Sequence, residues 1–439
     1  MIAPARVAAY EVLRAVRSGR TDLGSALARQ RAALTDERDR ALAGEIAIGT
    51  LRWQGAFDHV ISSFANRPLT KLDVEVLDVL RLTIFQILHL ERIPVSAAVK
   101  DAVDLTGKAG KRSAAGLVNA ILRRVSRERE SLPLPPRPAD PADRAAALAY
   151  LSITLSHPAW LVSRWLDRYG FDRAESWARF NNSPAPLTLR ANTLKIGREE
   201  LASRLRDEGI ACEYAAHARD GLIVRQGNPL SSSLHGDGFF VVQDEASQLV
   251  GSFAGAQPGE WILDACASPG GKTLAMAADT RGSGLIVASD VRPRRVDLLR
   301  QTVARSGASN IVIVRADAAA TLPFGPVFDR VLLDAPCSGL GTVRRDPDIK
   351  WRRQEDALPV LAAGQMTMLE AVAAVVKDRG VIVYSTCSSE PEENDAVVDG
   401  FTARHPEFRV EGEPLRTLPF RDGLEAFFAA MLVKTKHLR

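Results

Sequence analysis

The sequence predicts an α/β protein: a doubly wound sheet over residues 236–439, preceded by an all-helical domain over residues 1–131 and a small α+β adaptor over residues 144–235. Three observations carry this. Apolar residues recur every three or four positions up to about Glu130, short apolar runs alternate with helical stretches after Trp261, and a strand ending in a glycine turn opens that alternation.

In chain order, Pro4–Val16, Asp22–Gln30, Asp36–Leu51, Trp53–Ala65 and Val74–Leu90 show helical spacing broken by Gly or Pro. The last is apolar on most sides (Val76, Leu77, Leu80, Ile84, Ile87, Leu88), which suits the central helix of a bundle. Ser131–Asp143, SLPLPPRPADPAD, holds five prolines, and residues 132–143 read as a linker. Helices over Trp160–Tyr169 and Ala174–Asn181 then lead to a strand Leu187–Ala191, a helix Arg198–Glu208 and strands Ala211–Ala215 and Gly221–Val224. This βαββ unit suits an RNA-positioning module or a structural adaptor equally. Phe239–Leu249 passes from strand to helix and opens the last domain. There the strands Trp261–Leu263, Leu285–Ser289, Ile311–Arg315, Arg330–Leu333 and Val381–Tyr384 alternate with helices beginning near Lys272, Pro293 and Gln365.

The corner WILDACASPGGKT, Trp261–Thr273, is a strand, an acid, a two-glycine turn and a helix start, which leaves backbone N–H groups free at the carboxyl edge of a sheet. GGKT suggests a phosphate loop, but that loop needs a glycine where Cys266 stands, and no GxGxxG occurs. What remains is Asp264 after one strand and Asp290 after the next, where an acid accepts hydrogen bonds from ribose hydroxyls. The corner therefore suits an adenosyl ligand, S-adenosylmethionine among them.

Composition narrows the class further. With 439 residues and 46% hydrophobic side chains, the chain can build several cored domains. Cys212, Cys266, Cys337 and Cys387 lie 54, 71 and 50 residues apart, a spacing that supports neither a zinc site nor a disulfide framework. No metal is expected. There is no apolar signal core and no run long enough to cross a membrane, so a cytoplasmic protein without membrane contact is expected; a monomer is the expected state, which the residues do not themselves decide. The net charge of +4 is uneven: residues 1–130 carry 21 Lys and Arg against 15 Asp and Glu, the remainder 36 against 38. Lys108, Lys111, Arg112, Arg123 and Arg124 belong to that basic excess, which attracts polyanions whatever their sequence. Arg344–Arg353, RRDPDIKWRR, sets Arg344, Arg345 and Lys350 around Trp351 and suits a phosphate-contacting loop with a stacking aromatic.

Two strand-end segments carry the remaining chemistry, Asp334–Thr342 (DAPCSGLGT) and Tyr384–Asn394 (YSTCSSEPEEN). Carbon 5 of a pyrimidine becomes nucleophilic only after something adds at carbon 6, and a thiolate is the natural attacker. A free thiol, with a pKa of about 8.5, is only partly ionised near neutrality, so a cation such as Lys272 would favour the thiolate. Asp334 could hydrogen-bond the ring and stabilise the charge that shifts there. This chemistry does not decide which cysteine attacks.

DACASPGGKT, DAPCSGLGT followed by RRDPDIKW, and YSTCSSEPEEN occur in order over the C-terminal half and resemble the RNA cytosine-5 methyltransferases of the Sun/Nop2 group. The resemblance implies a Rossmann-like class I methyltransferase domain that uses S-adenosylmethionine, with Cys387 as nucleophile and Cys337 assisting product release. It further implies that Cys266, Ala267, Ser268, Pro269, Gly270, Gly271 and Lys272 hold the methionine end of the cofactor, Asp290 the ribose and Asp317 the adenine edge. Asp334 would hold the cytosine ring and also belong to the cofactor-binding set. The helical domain resembles the NusB-like RNA-binding fold, and SHPAWLVSRWLDRYG with NNSPAPLTLRANTLK is similar to the middle region of bacterial 16S rRNA cytosine-5 methyltransferases. These likenesses imply 16S rRNA as partner and cytosine 967 as target. A tRNA or 23S rRNA cytosine-5 methyltransferase, or a non-catalytic RNA-binding assembly factor, are the alternatives.

Overall fold

The computed structural model describes residues 2–435. Among the described residues two compact units emerge, one of residues up to 184 with 343–355, the other of residues 185–342 with those from 356 onward.

The first unit is helical. Its helices are α1 (Pro4–Arg17), α2 (Leu23–Ala33), α3 (Glu37–Arg52), α4 (Gln54–Ala65), α5 (Val74–His89), α6 (Val95–Lys108), α7 (Ala115–Arg127), α8 (Arg144–Ala149), α9 (Ala159–Tyr169) and α10 (Phe171–Asn182). As its composition requires, α5 is the central helix: Val79, Leu80 and Ile84 are wholly buried in a core shared with α1, α3, α4, α6 and α7. The proline-rich run is packed down: Leu132 and Leu134 lie on this core and Arg137 pairs with Glu175 at 2.9 Å. The helices α8–α10, expected to open the adaptor, pack within this unit.

The second unit holds two sheets. Strands β1 (Leu187–Ala191), β2 (Ala211–Tyr214), β3 (Gly221–Gln226) and β4 (Phe240–Val242) form an antiparallel sheet in the order β2-β3-β1-β4, with α11 (Arg198–Asp207) packed on it. The β4 strand, expected to open the last domain, thus completes the small sheet, and the helix after it, α12 (Glu245–Phe253), is the first element of the large one.

The large sheet comprises β5 (Trp261–Asp264), β6 (Leu285–Asp290), β7 (Ile311–Arg315), β8 (Phe328–Asp334), β9 (Val376–Thr386), β10 (Phe408–Val410), β11 (Leu415–Arg416) and β12 (Phe428–Lys434). Its order is β10-β12-β9-β8-β5-β6-β7, parallel from β7 to β9 and antiparallel beyond, with β11 on β12. Helices α13 (Gly271–Asp279), α14 (Pro293–Ser306), α15 (Ala357–Ala373) and α16 (Asp395–Arg404) flank it. Alternate residues of β9 serve opposite faces, Ile382 and Tyr384 in one core and Val381 and Val383 in the other, so both faces are dry. From β5 the chain winds outward through β6 and β7, then returns to β8 on the other side. That reversal opens a crevice at the carboxyl ends of β5 and β8, where a ligand of this architecture sits.

Candidate active site

The corner after β5 is built as its residues suggest. Asp264 ends the strand almost fully buried, Ala267 N–H donates to the Ser289 carbonyl at 2.8 Å, and Gly270 turns into α13 at φ +107°. A side chain at Gly270 would be strained by that φ and would press on Leu299 at 3.0 Å. Asp264 Oδ2 accepts the Thr273 hydroxyl at 2.6 Å, while Oδ1 is buried with no hydrogen-bond partner. Burial pushes this carboxyl up to about 7. An acceptor left open beside a loop of backbone amides fits a ligand that brings its own donor, as the amino group of S-adenosylmethionine does. At the end of β6, Asp290 is 6% exposed; its Oδ1 accepts from Arg292 N–H at 3.1 Å and its Oδ2 lies 3.3 Å from Arg295 Nε. Asp317 caps the turn after β7 by accepting from Ala319 N–H at 2.9 Å. Cys266 is held as a thiol by burial and by the neighbouring charges of Asp264, Asp334 and Asp290.

Across the crevice stand the residues that carry chemistry. Lys272 Nζ, on a side chain only 12% exposed, lies 2.7 Å from Asp334 Oδ2, and Asp334 Oδ1 accepts the Ser385 hydroxyl at 2.9 Å. Burial disfavours the Lys272 ammonium, but Asp334 outweighs it, with help from Cys387 and Asp264, so its pKa is raised. Beside this pair the thiols of Cys337 and Cys387 touch, Sγ to Sγ at 3.1 Å, and neither is in a disulfide. The hydrogen bond to Cys387 and burial hold Cys337 well above the ordinary thiol range, with the charges of Cys387 and Glu393 adding to it. Backbone bonds lock the loops together: Ala335 N–H to the Ser385 carbonyl at 2.8 Å and Gly341 N–H to the Cys387 carbonyl at 3.0 Å.

Several residues outside the sequence-predicted site build this arrangement. Glu393, Gln365, Ser338 and Ser388 are buried and hydrogen-bonded around the cysteines. The Cys-Ser dipeptide repeated in both motifs was the available signal.

The expected phosphate-contacting loop is a correction. Lys350 is fully buried and donates to the Arg52 carbonyl at 2.9 Å, Trp351 Nε1 donates to the Leu51 carbonyl at 2.6 Å, and Arg344 donates to the Pro184 carbonyl at 2.7 Å over the Phe180 ring. Burial and the Arg52 charge push Lys350 far below the usual lysine range. These side chains anchor residues 343–355 in the helical unit, and Arg345, half-buried beside Asp346, belongs to the same segment. Replacing Lys350 by Met therefore exchanges one hydrogen bond for a lost desolvation cost, and stability should stay within about 1 kcal/mol by thermal melting. The slope of log affinity for rRNA against log salt should not change; a slope shallower by about one would return Lys350 to the phosphate contacts. Of the other cations, Lys108, Arg112 and Arg123 are exposed, Lys111 pairs with Asp73 at 3.0 Å, and Arg124 lies over the Phe64 ring and pairs with Glu128 at 3.2 Å. Among the described residues no helix is long and apolar enough to cross a membrane.

Comparison with known proteins divides the chain into three matched regions, the second of which along the chain begins at residue 157 and takes in α9 and α10. Residues 254–433 match the family described as 16S rRNA methyltransferase RsmB/F, residues 3–127 the NusB family, and residues 157–231 the ferredoxin-like domain of RsmF/B-like methyltransferases. The chain is 35% identical to the probable ribosomal RNA small subunit methyltransferase B of Bacillus subtilis, over 87% of this chain and 84% of that protein. It is 36% identical to ribosomal RNA small subunit methyltransferase B of Pseudomonas putida, over 91% and 89%. The crystal structure of PH0851 covers 99% of both chains at 25% identity with a TM-score of 0.81. A methyltransferase homolog protein from Pyrococcus horikoshii, 28% identical, covers 66% of this chain and 99% of its own with a TM-score of 0.58. The chain, with its NusB domain, ferredoxin-like domain and Rossmann-like catalytic sheet, belongs to the RsmB/F family of 16S rRNA methyltransferases.

Proposed function

We propose that the chain methylates carbon 5 of one cytosine of small-subunit rRNA, expected to be cytosine 967, through a transient bond between Cys387 Sγ and carbon 6 of the ring. The observation that carries this reading is the 3.1 Å contact of Cys337 and Cys387 beside the Lys272–Asp334 pair. S-adenosylmethionine, when bound, supplies an electrophilic methyl group. Asp264, the loop Cys266–Gly271 and Asp290 would hold it, with Asp317 toward the adenine. Cys387 attacks carbon 6 as thiolate, the form in which a cysteine is a nucleophile. Asp334 orients the ring and stabilises the charge that addition moves onto it. Once carbon 5 carries the methyl group, Cys337, relieved of the Cys387 hydrogen bond and charge that hold it protonated and having passed its own proton to water, takes the carbon 5 proton; that C–H pair re-forms the C5–C6 double bond and Cys387 leaves carbon 6 as thiolate. The target ring must leave its stack for any of this to occur.

The test is transfer of labelled methyl from S-adenosylmethionine to 16S rRNA, followed by digestion to nucleosides and mapping. Label in 5-methylcytidine at a single position is the expected result. Label on ribose or on another base would sink the chemistry, and methylation of tRNA or 23S rRNA in its place would replace the substrate. RNA binding without transfer would favour an assembly factor.

A further inference from the structure

We propose that Glu393 is a positioning residue of the cysteine pair, its one buried carboxylate holding the loops of Cys337 and Cys387 in contact. This rests on the two-cysteine reading above. Glu393 is 0% exposed. Its Oε1 accepts from the Ser338 backbone N–H at 2.7 Å and from Gln365 Nε2 at 2.9 Å, and its Oε2 accepts from the Ser388 hydroxyl at 2.5 Å. Ser338 and Ser388 directly follow the two cysteines, and their hydroxyl oxygens lie 3.1 Å apart. Gln365, on α15, also donates to the carbonyl of Pro336, the residue before Cys337, at 3.1 Å. The backbone of Glu393 is fixed in turn, because its carbonyl accepts the Tyr384 hydroxyl at 2.5 Å.

One carboxylate therefore joins the loop after β8, the loop after β9 and a helix behind both. Burial this complete is tolerated because both oxygens are hydrogen-bonded. All three donors are neutral groups. Glu393 is among the groups that raise Cys337, after the Cys387 hydrogen bond, burial and the Cys387 charge. Glu393 touches no reacting atom in this arrangement. Its effect passes through the position of the two sulfurs.

The test compares Glu393→Ala and Glu393→Gln with the parent and with Cys337→Ser, all with 16S rRNA and S-adenosylmethionine. Displacement of a reacting group by an ångström costs on the order of 100-fold, so Glu393→Ala should lose about that much in kcat. Glu393→Gln should fall between, at about 10-fold, since its amide would face a Ser388 oxygen that already accepts from Glu390 N–H at 3.1 Å. KM for rRNA should stay within about two-fold of the parent, because an interaction that acts on chemistry alone leaves binding unchanged. Both variants should accumulate covalent protein–RNA adduct, as Cys337→Ser does. Thermal melting and binding of S-adenosylmethionine report whether the fold survives. A parental kcat in Glu393→Ala overturns the proposal. So does a loss shared equally between the two variants, without adduct and matched by a fall in melting temperature, which is the mark of packing alone. If the parent methylates rRNA but Cys337→Ser traps nothing, the two-cysteine reading fails on that control, and the kcat-against-KM split still decides the role of Glu393.

Discussion

Cys387→Ser is expected to lower methyl transfer to rRNA by on the order of 10^4-fold or more, the scale seen when a nucleophile is removed. Cys337→Ser should instead accumulate a covalent protein–RNA band on a denaturing gel. The two sulfurs lie 3.1 Å apart, so a serine at either position changes little in volume. What changes is acidity: a serine hydroxyl stays protonated near neutrality even beside an ammonium, and Lys272 cannot make it a comparable nucleophile. In barrier height the loss at Cys387 corresponds to about 5.5 kcal/mol. On the proposed mechanism Cys337 acts later, on the proton at carbon 5 and on release, so its removal would leave addition possible and strand the adduct. Adduct in Cys387→Ser with none in Cys337→Ser would exchange the two roles. Full activity in both would end the two-cysteine reading.

How far the sequence reaches is decided by the range of the interactions that define each element. The corner after β5 was legible because its determinants are local: an apolar strand, an acid and a turn that only glycines allow. The strands β5–β9 were equally legible as apolar runs of parallel-sheet length. The strands β10 and β11 have three and two residues, too few for alternation to register, and β12 is an apolar run dry on both faces, which periodicity alone does not separate from a buried helix. Glu393 was missed for a physical reason. In SSEPEEN it looks like one acid among several in a solvated turn, and only the sheet brings Ser338 and Gln365 to it from 55 and 28 residues away. Lys350 failed in the opposite direction: a charge run reads as a solvated loop, whereas Trp351 and the backbone carbonyls of Leu51 and Arg52 draw it inside.

Gly341→Ala should cost about 100-fold in activity, although Gly341 carries no chemistry. A Cβ on this residue would lie 1.9 Å from the Ala426 carbonyl oxygen and 2.8 Å from that of Cys387. Neither can yield easily, since Gly341 N–H donates to the Cys387 carbonyl and the Gly341 carbonyl accepts from Ala426 N–H, both at 3.0 Å. The strand β12 begins two residues after Ala426, paired in register with β9, so movement there strains the sheet that carries Cys387. The added methyl must therefore part the two cysteine loops or shift an edge of the sheet. Overpacking of this kind costs about 1–3 kcal/mol or more of stability, and an ångström between the sulfurs costs about 100-fold in rate. Gly339→Ala is the informative companion, because Gly339 sits at φ +77° in the same loop and its penalty comes from backbone conformation rather than from the approach of a neighbouring strand. Melting temperature and kcat measured for both variants separate the two effects. If Gly341→Ala melts and turns over like the parent, the close approach of the two loops does not set the distance between Cys337 and Cys387.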